Sequence, residues 1–202
     1  MHTYFVTGTS TDVGKTIVSA ILVEALNADY WKPVQAGELD NCDTKKVEQL
    51  VSNSKTVFHK NSYALETSMS PHAAADIDGV SIKLQSIKAP KTKNDLIIEG
   101  AGGLLVPLNN SQTIFDLIKS NYKVIVVSRH YLGSINHTLL TIKLLEDNGF
   151  DVSIIYSGNE HKTTEAIINK MTNSRVIGRI DDEPYFDKNV IKEYAEKFKA
   201  NL

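Results

Sequence analysis

Residues 4 to 16 read Tyr4-Phe5-Val6-Thr7-Gly8-Thr9-Ser10-Thr11-Asp12-Val13-Gly14-Lys15-Thr16. A short apolar strand runs into a glycine-bearing turn, and Gly-Lys-Thr then opens a helical pattern. This order builds a cradle for a triphosphate. Gly8 and Gly14 let the backbone curl so that several N–H groups point inward at phosphate oxygens. Lys15 reaches the β- and γ-phosphates, and Thr16 offers a hydroxyl to Mg²⁺. The helix that follows aims its positive end at the anion. Five residues separate Gly8 from Gly14, where the common motif has four, and Thr9 stands at the place of its first glycine. That spacing bears on the subclass more than on the existence of the site.

The chain has 202 residues, a length that fits one domain, 1–202, with a sizeable core. A net charge of −2 gives no basic surplus that would suggest nucleic acid as a partner. No apolar run approaches a membrane span, and the N-terminus lacks the pattern of a secretion signal. The single cysteine, Cys42, leaves no intramolecular disulfide to form and fits the reducing cytoplasm. It sits in a polar loop beside Asp43, with no sequence partner that would make it a nucleophile.

Strand and helix patterns alternate nearly throughout. Strands are expected at Tyr4–Thr7, Asp29–Val34 (closed by Pro33), Asp95–Glu99, Lys123–Ser128, Val152–Tyr156 and Arg175–Ile180. Helices are expected at Thr16–Leu26, Asp43–Val51, Thr113–Lys119, Ile135–Asn148, Thr164–Met171 and Asn189–Lys199. The first should bury Ile17, Ala20, Ile21 and Ala25. Ser70-Pro71 resembles a capped helix start, and Ser81–Ile87 has a weaker helical pattern. Across Ser52–Asn94 the lysine-rich polar runs read as surface loops. Continuous apolar strands separated by helices imply a mostly parallel sheet covered on both faces, an α/β fold of the P-loop NTPase type. Ligands then bind beyond the carboxyl ends of the strands.

The residues just after the strands therefore matter. Lys32 follows Tyr30 and Trp31 in a strand that should be buried. It either faces a phosphate or substrate anion, or reaches solvent by its stem. Asp43 is either a helix N-cap or a carboxylate that meets Mg²⁺. Glu99-Gly100-Ala101-Gly102-Gly103 ends the strand expected beside the phosphate loop. Glu99 there is a second metal-directed acid, or a solvated residue before a glycine turn. Lys15, Lys32, Thr16, Asp43 and Glu99 together give two cations for phosphate oxygens and three oxygens for Mg²⁺, a set suited to phosphoryl transfer from ATP. Ser134 is a plausible N-cap for the Ile135–Asn148 helix, whose start is an anion site or an ordinary cap. His72, His130 and His137 lack metal-ligand spacing.

Taken with Lys32-Pro33-Val34-Gln35, Ser70-Pro71-His72 and Leu132-Gly133-Ser134-Ile135-Asn136-His137, these motifs stand in the order seen in dethiobiotin synthetases, which the chain resembles from residue 4 to about 158. The five-residue gap in the loop is that family's own spacing. The resemblance implies an ATP- and Mg²⁺-dependent enzyme that closes a cyclic urea on 7,8-diaminopelargonate with CO₂. It implies that Lys32 is the catalytic lysine, with Lys15 and Thr11 beside it. It implies that Asp12, Val13, Gly14, Lys15, Thr16 and Ile17 hold the phosphates, with Gly100, Ala101 and Gly102 nearby. Thr16, Asp43 and Glu99 would face the metal. Thr11, Lys32, Ala36 and Gly37 would lie near the diamine. The family acts as a homodimer, in which Gly133, Ser134, Ile135 and Asn136 receive the substrate carboxylate from across the interface.

Three positions depart from the family pattern. Ala36 stands where Ser or Thr is common. The strand after Val152 leads into Ser157-Gly158-Asn159, with Ser157 where a base-reading Asn is usual. Gly178-Arg179-Ile180-Asp181 lacks the proline of Gly-Glu-Ile-Pro. The rival class is a partitioning-type regulatory ATPase, which shares the fold and Gly-Lys-Thr. Its loop carries an extra lysine five residues before the loop lysine, and here that position is Ser10.

Overall fold

Apolar runs become strands here and amphipathic runs become helices, alternating along a chain that the computed structural model describes over residues 1–202. The strands are β1 (Thr3–Gly8), β2 (Asp29–Trp31), β3 (Val34–Ala36), β4 (Phe58–His59), β5 (Tyr63–Leu65), β6 (Leu96–Gly103), β7 (Lys123–Arg129), β8 (Asp151–Ser157) and β9 (Arg175–Ile180). The helices are α1 (Lys15–Leu26), α2 (Asp43–Leu50), α3 (Pro71–Ile77), α4 (Ser134–Asp147), α5 (Lys162–Met171) and α6 (Lys188–Lys199). One sheet has the order β4-β2-β6-β1-β7-β8-β9. All its paired neighbours run parallel, beyond the mostly parallel sheet expected.

Alternation along each strand divides the core in two. Tyr4, Val6, Tyr30, Ile97, Ile125, Val127 and Ile155 face α1, α2 and α6. Phe5, Trp31, Leu96, Ile98, Val124, Val126, Val152 and Ile154 face the side of α3, α4 and α5. A strand buried on both faces must be apolar at every position, which is why these segments read as unbroken runs. Helix α1 is buried well beyond one stripe, with Val18, Ala20, Ile21, Leu22, Val23 and Ala25 all covered, because α2 and α6 flank it. Ile17 is only partly buried.

Several expected elements take another form. The strand expected over Asp29–Val34 breaks at Lys32-Pro33. Pro33 cannot donate to a ladder, and β3 resumes in a separate two-stranded parallel sheet with β5. The Ser52–Asn94 stretch is more than surface loop: it supplies β4 at the sheet edge, β5 and α3. Ser81–Ile87 and Thr113–Lys119 shrink to 3-10 turns at Leu84–Ser86 and Ile114–Leu117. Asp43 is the first residue of α2, and Cys42, buried, holds the N-cap position. Ser134 likewise begins α4, whose N-cap is Gly133 at φ 100°. The C-terminus of α4 closes as the sequence suggests: Gly149 donates to the Glu146 carbonyl and Phe150 to that of Leu145.

Candidate active site

Strand register sets the site. In the parallel pairing of β2 with β6, Tyr30 lies abreast of Ile97 and Trp31 abreast of Ile98. One residue on, Lys32 meets Glu99. Val6 of β1 lies on the other side of Glu99. Tyr30, Lys32, Ile97 and Glu99 therefore share the α1 face, at the end of the sheet where β1 turns into the phosphate loop. The glycine turn expected after Glu99 is instead more strand: β6 runs on to Gly103, carrying Gly100, Ala101 and Gly102 past the loop. A Cβ built on Gly102 would come within 3.5 Å of the Thr11 hydroxyl.

Lys32 does not reach solvent. Its side chain is 5% exposed, with Nζ 2.6 Å from Asp43 Oδ2 and 3.0 Å from Glu99 Oε1. Thr16 donates its hydroxyl to the same Glu99 oxygen at 3.0 Å. Glu99 Oε2 accepts from the hydroxyl of Tyr30 at 2.9 Å. Burial works against the Lys32 charge, but Glu99 and Asp43 outweigh it and hold the ammonium above its ordinary range. Burial likewise opposes the Asp43 carboxylate, and Lys32 more than offsets it, so that group sits below its ordinary range. Buried charges persist when paired in this way.

Lys15 lies over the loop, with Nζ donating to the Ser10 carbonyl at 2.9 Å. Burial pushes its ammonium down to about 8, against the pull of Glu99. Gly8 has no room for a side chain: a Cβ there would stand 2.6 Å from Val13 and 2.9 Å from the Ser10 carbonyl. Gly14 holds φ 97°, and its Cβ would stand 2.9 Å from Ser157 Oγ. Asp12, at φ 55°, and Thr11 are exposed on the loop. Val13 is buried in the α1-side core, with Ile17 packed against it.

Lys15, Thr16, Lys32, Asp43 and Glu99 thus come together. Ala36 and Gly37 lie one turn away, coupled through Gln35, which donates to the Gly37 carbonyl at 3.0 Å and accepts from the Asp43 N–H at 3.4 Å. Gly133, Ser134, Ile135 and Asn136 stand apart: no hydrogen bond or ion pair ties them to the loop. Around them Leu132, Ile135 and Leu140 are exposed. Ser157 ends β8 beside Gly14, while the Asn159 side chain accepts from the Asp182 N–H at 3.3 Å. Tyr30 and Gln35, which the sequence offers only as neighbours of Lys32 with no site role, also touch the site. The signal for Tyr30 was its spacing: two residues before Lys32 on a strand, it shares that lysine's face.

Asp43 and Glu99 oxygens flank the Lys32 ammonium, and the Thr16 hydroxyl, a third hard oxygen, lies 3.0 Å from the same Glu99 oxygen. No group of three or more His, Cys, Asp or Glu side chains forms a closed metal cage. Such a donor set fits Mg²⁺, which commonly binds through one or two carboxylates together with substrate phosphates and water.

A looped strand-to-helix turn bearing Gly-Lys-Thr, set at the carboxyl end of the central strand of a parallel sheet, defines a P-loop nucleotide-binding protein. The sequence matches the AAA domain family over residues 2–190. It is 61% identical over 200 residues to the ATP-dependent dethiobiotin synthetase BioD of Christiangramia forsetii, covering 98% of this chain and 97% of that one. It is 48% identical over 204 residues to the protein of the same description from Cytophaga hutchinsonii, covering 100% and 98%. The chain belongs to the ATP-dependent dethiobiotin synthetases. Among solved structures it resembles a ParA family ATPase from Chlorobium tepidum (TM-score 0.58, 10% identity, 96% and 98% coverage). It also resembles a MinC:MinD cell division protein complex from Aquifex aeolicus (TM-score 0.55, 16% identity, 100% and 96% coverage). At such identities the likeness speaks to fold alone, so it is the sequence matches that separate this chain from the partitioning-type rival.

Proposed function

We propose that the chain closes a cyclic urea on 7,8-diaminopelargonate with CO₂, converting ATP to ADP and phosphate. One amino group adds to CO₂ and loses a proton, giving a carbamate. A carbamate oxygen attacks the γ-phosphorus of ATP and ADP departs, leaving a carbamic–phosphoric anhydride. The second amine attacks the carbonyl carbon, and phosphate leaves with its bonding electrons. A further proton is released as the ring closes.

The observation that carries this reading is the convergence of Lys32, Asp43, Glu99 and Thr16 beside the loop that holds Lys15. Asp12 through Ile17 offer backbone N–H groups and the Lys15 ammonium to the phosphates. Gly100, Ala101 and Gly102 let the β6 backbone approach. Thr16, Asp43 and Glu99 would hold Mg²⁺, which when bound offsets charge on the phosphate oxygens. Lys32, kept protonated by two carboxylates, has its ammonium ready for the γ-phosphoryl group and the carbamate, where negative charge moves during transfer. Thr11 and the Ala36-Gly37 turn border the diamine; Ala36 has no hydroxyl to offer it, and the Gly37 N–H is taken by the Leu65 carbonyl at 2.8 Å. Gly133, Ser134, Ile135 and Asn136 receive the diamine's carboxylate from the second copy of a homodimer. The exposed apolar side chains around them support that pairing.

Residues 1–202 act in this reading as one domain in the cytoplasm. No helix is long and apolar enough to cross a membrane. The test is phosphate release from ATP with Mg²⁺ and bicarbonate, with and without the diamine. Strict dependence on the diamine supports the proposal; equal release without it points to a nucleotide switch.

A further inference from the structure

Tyr30 is fully buried in β2, yet it carries a hydroxyl. That hydroxyl has one hydrogen-bond acceptor, Glu99 Oε2, at 2.9 Å. The other Glu99 oxygen, Oε1, accepts from Lys32 and Thr16, each at 3.0 Å. The carboxylate is thus divided between two neighbourhoods. One oxygen faces the core and is satisfied there, while the other faces the loop. We propose that Tyr30 is a positioning residue that fixes the orientation of Glu99, presenting Oε1 to the cation and phosphate site; this rests on the metal-facing role given to Glu99 above.

The physical argument begins with the glutamate's last torsion, which is soft. At 1% exposure Glu99 has no water to hold it. Unbonded, Oε2 would be a charged acceptor pressed into apolar surroundings, a costly state that the carboxylate would escape by turning. The Tyr30 ring cannot follow such a turn. It is packed within the α1-side core and tilts against Phe58 at 6.2 Å between ring centres. Strand register then gives the reach: Tyr30 is level with Ile97, on the same face as Glu99 and one side-chain step below it. A residue needed only to fill this space could be phenylalanine, whereas a buried tyrosine hydroxyl is tolerated because it has a partner. Partners that orient a metal-facing group commonly matter tenfold or more to metal affinity.

The test uses the full chain and calorimetric titration with ADP, once with Mn²⁺ and once with EDTA. Tyr30→Phe should reduce the tightening that Mn²⁺ brings to ADP binding by about tenfold. Binding in EDTA should stay within about twofold, since the loop N–H groups and Lys15 are untouched. In a Glu99→Gln background the same substitution should add no further loss in Mn²⁺, because the group it orients has gone. Placing 4-aminophenylalanine at position 30 restores a donor and should restore the Mn²⁺ effect. An unchanged Mn²⁺ effect in Tyr30→Phe overturns the inference, as does an equal loss with and without metal. A phenylalanine variant that does not fold also overturns it, since the hydroxyl then serves the fold. If Glu99→Gln leaves the Mn²⁺ effect intact, the metal-facing reading itself fails; if it abolishes the effect while Tyr30→Phe does not, only the role of Tyr30 falls.

Discussion

Lys32 Nζ, one residue past the end of β2, stands 3.0 Å from Glu99 Oε1 in the neighbouring strand β6, and the pair is almost wholly shut off from water. Each residue arrives by the register that sets Trp31 beside Ile98. Asp43, at 2.6 Å from the same ammonium, comes from the first turn of α2. One lysine thus joins β2, β6 and α2 at the mouth of the phosphate loop.

Lys32→Ala should therefore lower kcat about a hundredfold or more while ADP affinity stays within about threefold. Lys15→Ala should abolish turnover and weaken the nucleotide as well, because its ammonium belongs to the loop. Steady-state rates with titration of ADP distinguish them. Equal losses of affinity in both variants would remove Lys32 from the transition state.

Gly37 holds φ +72°, and a Cβ on it would stand 1.9 Å from Ser68 Oγ and 2.7 Å from Ser68 Cα. The turn must move to accept a side chain. Gly37→Ala should cost about 1–3 kcal/mol of stability, read by urea unfolding. Through Gln35 the shift reaches Asp43, so the KM for the diamine should rise as well. An alanine variant with unchanged midpoint and KM would contradict the crowding seen here.

The apolar face at the start of α4 predicts self-association. Sedimentation should find a dimer, and Leu140→Asp should shift it to monomer. The KM for the diamine should then rise, while ADP binding holds. A wild-type monomer that is fully active would refute the shared carboxylate site.

Asp29 gives a pH dependence far from the chemistry. Burial pushes its carboxyl up, but hydrogen bonds from Asn94, Thr92, the Val57 N–H and His59 outweigh it and hold it below its ordinary range. The folded value lies below the unfolded one. Its stabilisation is therefore complete above the unfolded value of about 4 and fades as pH falls through the lower folded value. Asp29→Asn should cost about 1–3 kcal/mol at pH 7, with the gap to wild type narrowing in acid. Urea unfolding across pH 2.5 to 7 (a range set by roughly these values) checks the trend; a gap that widens in acid would contradict it.

Local chemistry made much of this protein legible from its residues. Gly8, Gly14, Lys15 and Thr16 announce the phosphate loop because few backbones but glycine make that turn and few residues serve a phosphate so well. Unbroken apolar runs at Ile97 or Val126 announce strands covered on both faces. The Leu145–Phe150 stop of α4 follows from Gly149. What the chain could not declare is register. Whether Lys32 escapes to solvent or is caught between Asp43 and Glu99 depends on which strands pair and at what offset. The same holds for Tyr30, whose hydroxyl looks like part of the core until β2 is laid beside β6. Long-range pairing is set by the packing of the whole sheet rather than by neighbours in sequence, so only the tertiary structure decides which oxygen of Glu99 faces the loop.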